Sequence, residues 1–273
     1  MVIFEQIHDT DLSKTFDCGQ SFRWNALPDG SFSGVAFGRS VRVFMQNNSL
    51  FIDGAEEGDR ALWHSYFDLG TDYGAVGEQL SRLHPVLCDA ADFSRGIRIL
   101  RQEPFEALVS FIISQNNNMP RIKGIVSRLC EGFGEPLGDG QFAFPSAETL
   151  SCCTAEDLAP LRAGFRARYI LDAARKVAGG EVDLDACRTL DYEAARAALM
   201  KITGVGVKVA DCTLLYGMHR LEAFPMDVWM KRAMATLLPG VTPADFGGFA
   251  GIAQQFIFHY SRSNPSLFEA KNC

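Results

Sequence analysis

The stretch LMKITGVGVKVADCTLLY (residues 199–216) reads as two helices joined by a tight reversal. One helix, carried by DYEAARAALMKI, ends near Ile202, and Thr203-Gly204-Val205-Gly206 turns the chain. A second helix starts near Val207. Gly204 and Gly206 suit backbone angles that other residues resist, and they let another backbone come close. The amides that open the second helix point outward and attract a phosphate. Such a hairpin grips DNA by its backbone and reads no base. A bare Gly-x-Gly turn is a weak signal on its own. Flanking apolar helices and the Lys-Val-Ala that follows strengthen it.

Lys208 falls in the first turn of the second helix, where a cation opposes the helix dipole. It is either an exposed phosphate contact or, because that end disfavours an ammonium, a nucleophilic amine. Cys212 lies four residues on and shares its face; as a residue type it is equally a small core side chain. Further on, FPMDVWMKRAM places Asp227 just before an apolar-periodic run, an ideal N-cap. Capping and chemistry are compatible, since one carboxylate oxygen caps while the other faces a developing cation. An amine and a fixed carboxylate are what cleavage of an N-glycosidic bond requires, because the sugar becomes oxocarbenium-like.

Working outward, the chain divides by composition. Residues 1–92 contain short β-rich runs in SFRWNALPDGSFSGVAFGRSVRVFMQNNSLFID, punctuated by PDG, a Gly-Arg-Ser segment and NNS. They predict an antiparallel sheet, with a short helix in DRALWHSYFDL. Residues 93–273 read as helical: PFEALVSFIIS with Pro104 in its first turn, RIKGIVSRLCEGFG with a glycine stop, and two short starts at Ser146 and Thr154. FRARYILDAARKVAGG, the hairpin pair, DVWMKRAMATLLPG and DFGGFAGIAQQFIFHYS follow. The fold class expected is α+β, an N-terminal antiparallel sheet domain followed by an all-α domain.

Bulk properties set limits. The 273 residues allow two or three subdomains. A hydrophobic content of 47% with 22% charged residues is ordinary for a globular protein. No run reaches the ~18 apolar residues of a membrane span, and the acids in MVIFEQIHDTDLSKTFD disfavour a secretory leader. A cytoplasmic location is expected, nuclear for a eukaryotic source. The eight cysteines include no C-x-x-C, which argues against zinc, an iron–sulfur cluster or a disulfide framework; no metal or cofactor is expected. The net charge of −7 and pI near 5.3 oppose DNA binding. The charge is uneven, however. Residues 53–72 carry six acids against Arg60, and residues 162–176 carry five bases against Asp172, so a basic face is possible on an acidic protein.

GQSFRW (19–24), RQEPFEALVSFIISQNNN (101–118), GFRARY (164–169), GVGVKVADC (204–212) and PMDV (225–228), in that order, resemble the 8-oxoguanine DNA glycosylase/AP lyases of the helix-hairpin-helix superfamily. The resemblance spans nearly the whole chain. It implies that Lys208 attacks C1′, displaces the base and forms a Schiff base that can β-eliminate, with Asp227 stabilising the sugar cation. It also implies that the lesion is flipped out of double-stranded DNA, the protein acting as a monomer in base-excision repair. The Gly19 carbonyl would meet the N7–H of the oxidised purine, where guanine presents a lone pair. Cys212 and Phe258 would sandwich the base, and Gln254 would bond its Watson–Crick edge. Arg121 and Arg166 match readers of the orphaned cytosine, Phe165 a wedging aromatic, and Asn116 the filler of the vacated space. By residue type alone, Gly19 is a turn glycine, Phe258 a helix residue, the Asn run a loop and the arginines surface charges. The chain departs from the family at Trp229, where a phosphate-contacting His is usual, and at Phe165, usually Tyr.

Other readings fit the residues less well. An alkylpurine glycosylase lacks the lysine, and endonuclease III-like enzymes carry a four-cysteine loop near the C-terminus, where only Cys273 follows Cys212. A non-catalytic hairpin module or a structural helical protein leaves Lys208, Asp227 and GQSFRW unexplained together.

Overall fold

The computed structural model describes residues 1–268; Cys273 and the last residues of the 93–273 region lie outside them. Five strands, β1 (Val2–Phe4), β2 (Asn25–Ala26), β3 (Phe32–Ala36), β4 (Arg39–Gln46) and β5 (Ser49–Asp53), form an antiparallel sheet in the order β1-β5-β4-β3-β2. Two-residue turns build its centre. Phe37-Gly38 and Asn47-Asn48 each take positive φ at both positions, as the hairpin turn matching strand twist requires. The first turn sits one residue earlier than the Gly-Arg-Ser punctuation predicts, because Arg39 and Ser40 already pair with Ala36 and Val35. Alternate residues Val41, Val43, Leu50 and Ile52 face inward and are nearly fully buried.

Among the described residues twelve α-helices accompany the sheet. α1 (Leu12–Asp17), α2 (Arg60–Tyr66), α3 (Tyr73–Ser81) and α4 (Pro85–Phe93) precede the longer α5 (Pro104–Ser114) and α6 (Met119–Phe133). After α7 (Ala147–Ser151) come α8 (Arg166–Ala178), α9 (Tyr192–Leu199), α10 (Val207–Met218), α11 (Val228–Leu237) and α12 (Ala250–Ser263). Ser146 caps α7 as predicted, but Thr154 starts no α-helix. There Asp157 turns back to accept from the Thr154 amide and hydroxyl, closing a local turn. Gly134 ends α6 with extended angles rather than left-handed ones; it is glycine because a Cβ would collide with the Ala143 carbonyl.

The apolar side chains form two clusters. The first joins the sheet to Phe16, Trp24, Trp63 and Phe67, with Trp24 donating to the Tyr66 hydroxyl at 2.7 Å. The second contains α5, α6, α8, α10 and α12, and also the inward faces of α3 and α4. The change of composition at residue 92 thus follows the chain's appearance, while packing assigns helices 73–93 to the second cluster.

The GQSFRW segment is the seam. Gln20 is fully buried, donating to the carbonyls of Thr15 (2.9 Å) and Arg98 (2.7 Å) and accepting from the Leu100 amide (2.8 Å). Gln255 of α12 donates to the Cys18 carbonyl at 3.1 Å, and the Gln102 amide donates to the Tyr216 carbonyl of α10 at 2.7 Å. The turn at Gly19 is therefore held against the helices that carry the chemistry.

Candidate active site

The hairpin forms where the sequence predicts it, but its two glycines do different things. Gly204 has φ +82°, and a Cβ there would collide with the Tyr169 ring of α8. Gly206 has φ −97° and ψ −178°, angles open to any residue, with nothing near a would-be Cβ. The expectation of a special backbone angle is corrected at Gly206. What glycine provides there is a bare N-cap, leaving the opening amides of α10 uncovered. The hairpin is braced from both sides. The Thr203 amide donates to Asp172 of α8 at 2.6 Å, and buried Asp211 accepts from Tyr192 and Arg196 of α9, each at 2.8 Å.

Six of the predicted residues line one cavity: Gly19, Lys208, Cys212, Asp227, Gln254 and Phe258. Four further wall residues, Cys18, Phe111, Tyr216 and Pro225, were not singled out from sequence. Tyr216 was within reach of a spacing argument, since Lys208, Cys212 and Tyr216 recur every four residues along α10. Pro225 opens the PMDV motif and Cys18 directly precedes GQSFRW; Phe111, inside an apolar helix, carries no local signal. Larger clefts, of about 620 and 420 Å³, contain neither Lys208 nor Asp227. Size does not locate the chemistry here; the converging amine and carboxylate do.

The Lys208 ammonium sits 5.1 Å from the centre of the Phe111 ring, which stacks on Tyr216 at 5.2 Å. Tyr216 donates to Gln255 at 2.6 Å, continuing the brace to Cys18. Asp227 caps α11, its Oδ1 accepting from the Met230 amide at 2.7 Å, while Oδ2 accepts no hydrogen bond among the described residues. The cap is the one the sequence predicts. Burial pushes the Cys212 thiol up to about 11, against the opposing pull of Lys208, and the Cys18 thiol up to about 12. Both stay neutral and serve as wall rather than nucleophile. Gln254 is 5% exposed, and its Nε2 donates to nothing among the described residues, so the amide is available to a ligand.

The cavity measures about 40 Å³. At ~10–15 Å³ per water it holds about three or four waters and is smaller than a purine. Gly19 has φ +85°, and a Cβ there would stand 3.7 Å from the Phe258 ring.

The opposite-strand candidates separate. Asn117 and Asn118 are structural: one donates to the Ile113 carbonyl at the end of α5, and the other caps α6. Asn116 is exposed and, alone of the three, strained, with φ +46°. Arg121 is exposed beside it on α6. Arg166, which the resemblance makes a reader of the orphaned cytosine and residue type alone a surface charge, is 2% exposed. Its guanidinium donates to the carbonyls of Gln115, Asn116 (2.9 Å) and Ala163 (3.2 Å), so it holds the Asn116 loop in place. Phe165 is 46% exposed at the start of α8, with the Arg166 guanidinium 4.5 Å from its ring centre. Trp229, which replaces the family's phosphate-contacting His, packs inward: its N–H donates to Ser261 of α12 at 3.0 Å, and its ring meets Phe268. The basic run of 162–176 is likewise no uniform face, because Arg175 and Lys176 are also spent on backbone carbonyls.

Among the described residues no cluster of His, Cys, Asp and Glu could hold a metal ion, and no helix is long and apolar enough to cross a membrane. A family model for the N-terminal domain of 8-oxoguanine DNA glycosylase matches residues 2–108, and one for the HhH-GPD superfamily of base excision DNA repair proteins matches residues 109–240. An N-glycosylase/DNA lyase of Saccharomyces cerevisiae is 40% identical over 153 residues, which are 50% of this chain and 41% of that protein's length. The structure of MBOgg1 with a low-affinity DNA ligand is 44% identical at a TM-score of 0.91, covering 96% of both chains. That of the Clostridium acetobutylicum 8-oxoguanine glycosylase/lyase, bound to double-stranded DNA with cytosine opposite 8-oxoguanine, is 39% identical at a TM-score of 0.90, covering 96% of this chain and 95% of that one. The chain belongs to the 8-oxoguanine DNA glycosylase/lyase family, within the helix-hairpin-helix superfamily of base-excision repair proteins.

Proposed function

We propose that this protein excises 8-oxoguanine from double-stranded DNA, opposite cytosine, and nicks the strand through a Lys208 Schiff base. The observation that carries the reading is the convergence of Lys208 and the uncommitted oxygen of Asp227 on one cavity beside Gly19. The Lys208 amine bonds to C1′ as the C1′–N9 bond breaks, and the base leaves with that electron pair. Asp227 stabilises the positive sugar in passing. The ring-closed aminal loses its ammonium proton. Its C1′–O4′ bond opens with the electron pair going to O4′, which takes up a proton, and the nitrogen lone pair forms the imine. Loss of a proton from C2′ then expels the 3′ phosphate. The bare amides at Gly206 hold a backbone phosphate, Cys212 and Phe258 enclose the base, and Gln254 bonds its Watson–Crick edge. Arg121 and Asn116 face the opposite strand, Phe165 wedges the duplex, and Arg166 supports that loop. The enzyme works as a monomer in the compartment that holds the DNA.

Incubation with an 8-oxoguanine:cytosine duplex followed by borohydride is expected to trap wild type covalently and to trap no Lys208→Gln. A trapped Lys208→Gln complex would assign the nucleophile elsewhere. Absence of any wild-type adduct removes the lyase step.

A further inference from the structure

An oxidised purine differs from guanine at two neighbouring atoms. N7 gains a hydrogen and becomes a donor, and C8 gains a carbonyl oxygen, an acceptor. A protein that reads both changes needs an acceptor and a donor side by side. The Gly19 carbonyl supplies the first under the function proposed above, on which this inference rests. A main-chain acceptor alone senses only half of the lesion's new chemistry.

The second group stands next to Gly19. Arg262 lies on α12 one turn beyond the cavity-lining Phe258, as Phe258 lies one turn beyond Gln254. Its Nη1 is 3.9 Å from the point where a Gly19 Cβ would sit, and Phe258 is 3.7 Å from the same point. The guanidinium and the ring therefore flank the glycine. Arg262 is exposed, and among the described residues its side chain makes no hydrogen bond, ion pair or ring contact. Nearly every other arginine is engaged: Arg166 and Arg175 with carbonyls, Arg196 and Arg220 with carboxylates, Arg168 with Tyr169. Arg162, the one comparable exception, lies on the loop before α8, and no cavity-wall residue comes from that loop. A glycine at position 19 also leaves no side chain between the guanidinium and the cavity mouth.

We propose that Arg262 donates to the C8 carbonyl oxygen of the flipped base, completing with Gly19 a two-point reading of the oxidised edge. Arg262 is then a specificity-determining residue. It tells the lesion from guanine by a group guanine lacks, and it takes no part in forming the Schiff base. A charge-assisted hydrogen bond of this kind contributes about tenfold or more to the rate of base release.

The test compares two substrates: a duplex with 8-oxoguanine opposite cytosine, and the same duplex with a preformed abasic site, which has no base to read. Single-turnover excision is measured on the first and borohydride trapping on the second, for wild type, Arg262→Ala and Arg262→Lys. The expected result is slower excision by Arg262→Ala, by about tenfold or more, with partial recovery in Arg262→Lys and unchanged trapping at the abasic site. Equal loss on both substrates, with a shallower dependence of affinity on salt, overturns the proposal and makes Arg262 a phosphate contact. Unchanged kinetics on both also overturns it and leaves a solvated arginine. Failure of the earlier reading looks different, because wild type itself would then act on neither substrate.

Discussion

At the scale of single residues, Asp227 is where two roles can be separated by one atom. Asparagine accepts the same amide hydrogen bond from Met230, so Asp227→Asn should unfold within about 0.5 kcal/mol of wild type. Its base release should nevertheless fall by about a hundredfold, because the charge facing the sugar cation is gone. Thermal melts and single-turnover excision on one preparation check both halves; wild-type excision would reduce Asp227 to a cap. Legibility from sequence varied sharply at this scale. Lys208, Asp227 and Gly204 could be read because their signals are local: a turn, a helix start, a cap. Arg166 and Trp229 could not, since what occupies them, the Gln115 carbonyl and the Ser261 hydroxyl, comes from distant parts of the chain. Phe111 was hidden for another reason. In an all-apolar helix, a residue facing a cavity and one facing the core have the same chemistry.

At the scale of elements, the α9–α10 hairpin and the Asn116 loop each yield a contrast between neighbours. Gly204→Ala places a Cβ in left-handed backbone and against the Tyr169 ring, so it should destabilise by more than the ~1–2 kcal/mol of the angle alone. Gly206→Ala meets neither obstacle and should melt like wild type or slightly higher, yet bind duplex more weakly because its methyl shields the α10 amides. Denaturation curves and duplex titrations distinguish the two; equal destabilisation would deny the division of labour at the hairpin. The paired arginines behave in the same way. Arg166→Ala removes the bonds that hold the 115–116 carbonyls and should cost about 2 kcal/mol or more. Arg121→Ala, at an exposed site, should leave the melt unchanged and weaken the preference for cytosine when the lesion is paired with each base in turn. An unaltered preference would remove Arg121 from the interface. The helices themselves were legible from period and caps. The division of the apolar cores was not, because α3 and α4 look like part of the sheet region until the packing of α4 on α12 is known.

At the scale of the whole molecule, the buried Arg23–Glu106 pair (3.4 Å) joins GQSFRW to α5, and so the sheet region to the helical one. Burial raises the Glu106 carboxyl from 4.5 to about 7, against the pull of Arg23. The folded protein therefore keeps this proton where the unfolded chain has lost it. The contribution to stability is complete below about pH 4.5 and disappears as pH rises through about 7. Glu106→Gln, which resembles the protonated form, should gain stability relative to wild type between pH 5 and pH 8 in denaturant titrations; a difference independent of pH would contradict the raised value. The narrow cavity has a consequence of another kind, in populations. At about 40 Å³ the pocket as it stands is smaller than a purine, so a purine is expected to bind the molecules in which the wall has moved aside. If those are one in a hundred, every purine-sized guest, inhibitor or base, binds about a hundredfold more weakly than its contacts alone would give. Trimming Phe258 would lift that tax for all guests alike, tightening occupancy while leaving the ratio between damaged and undamaged bases unchanged.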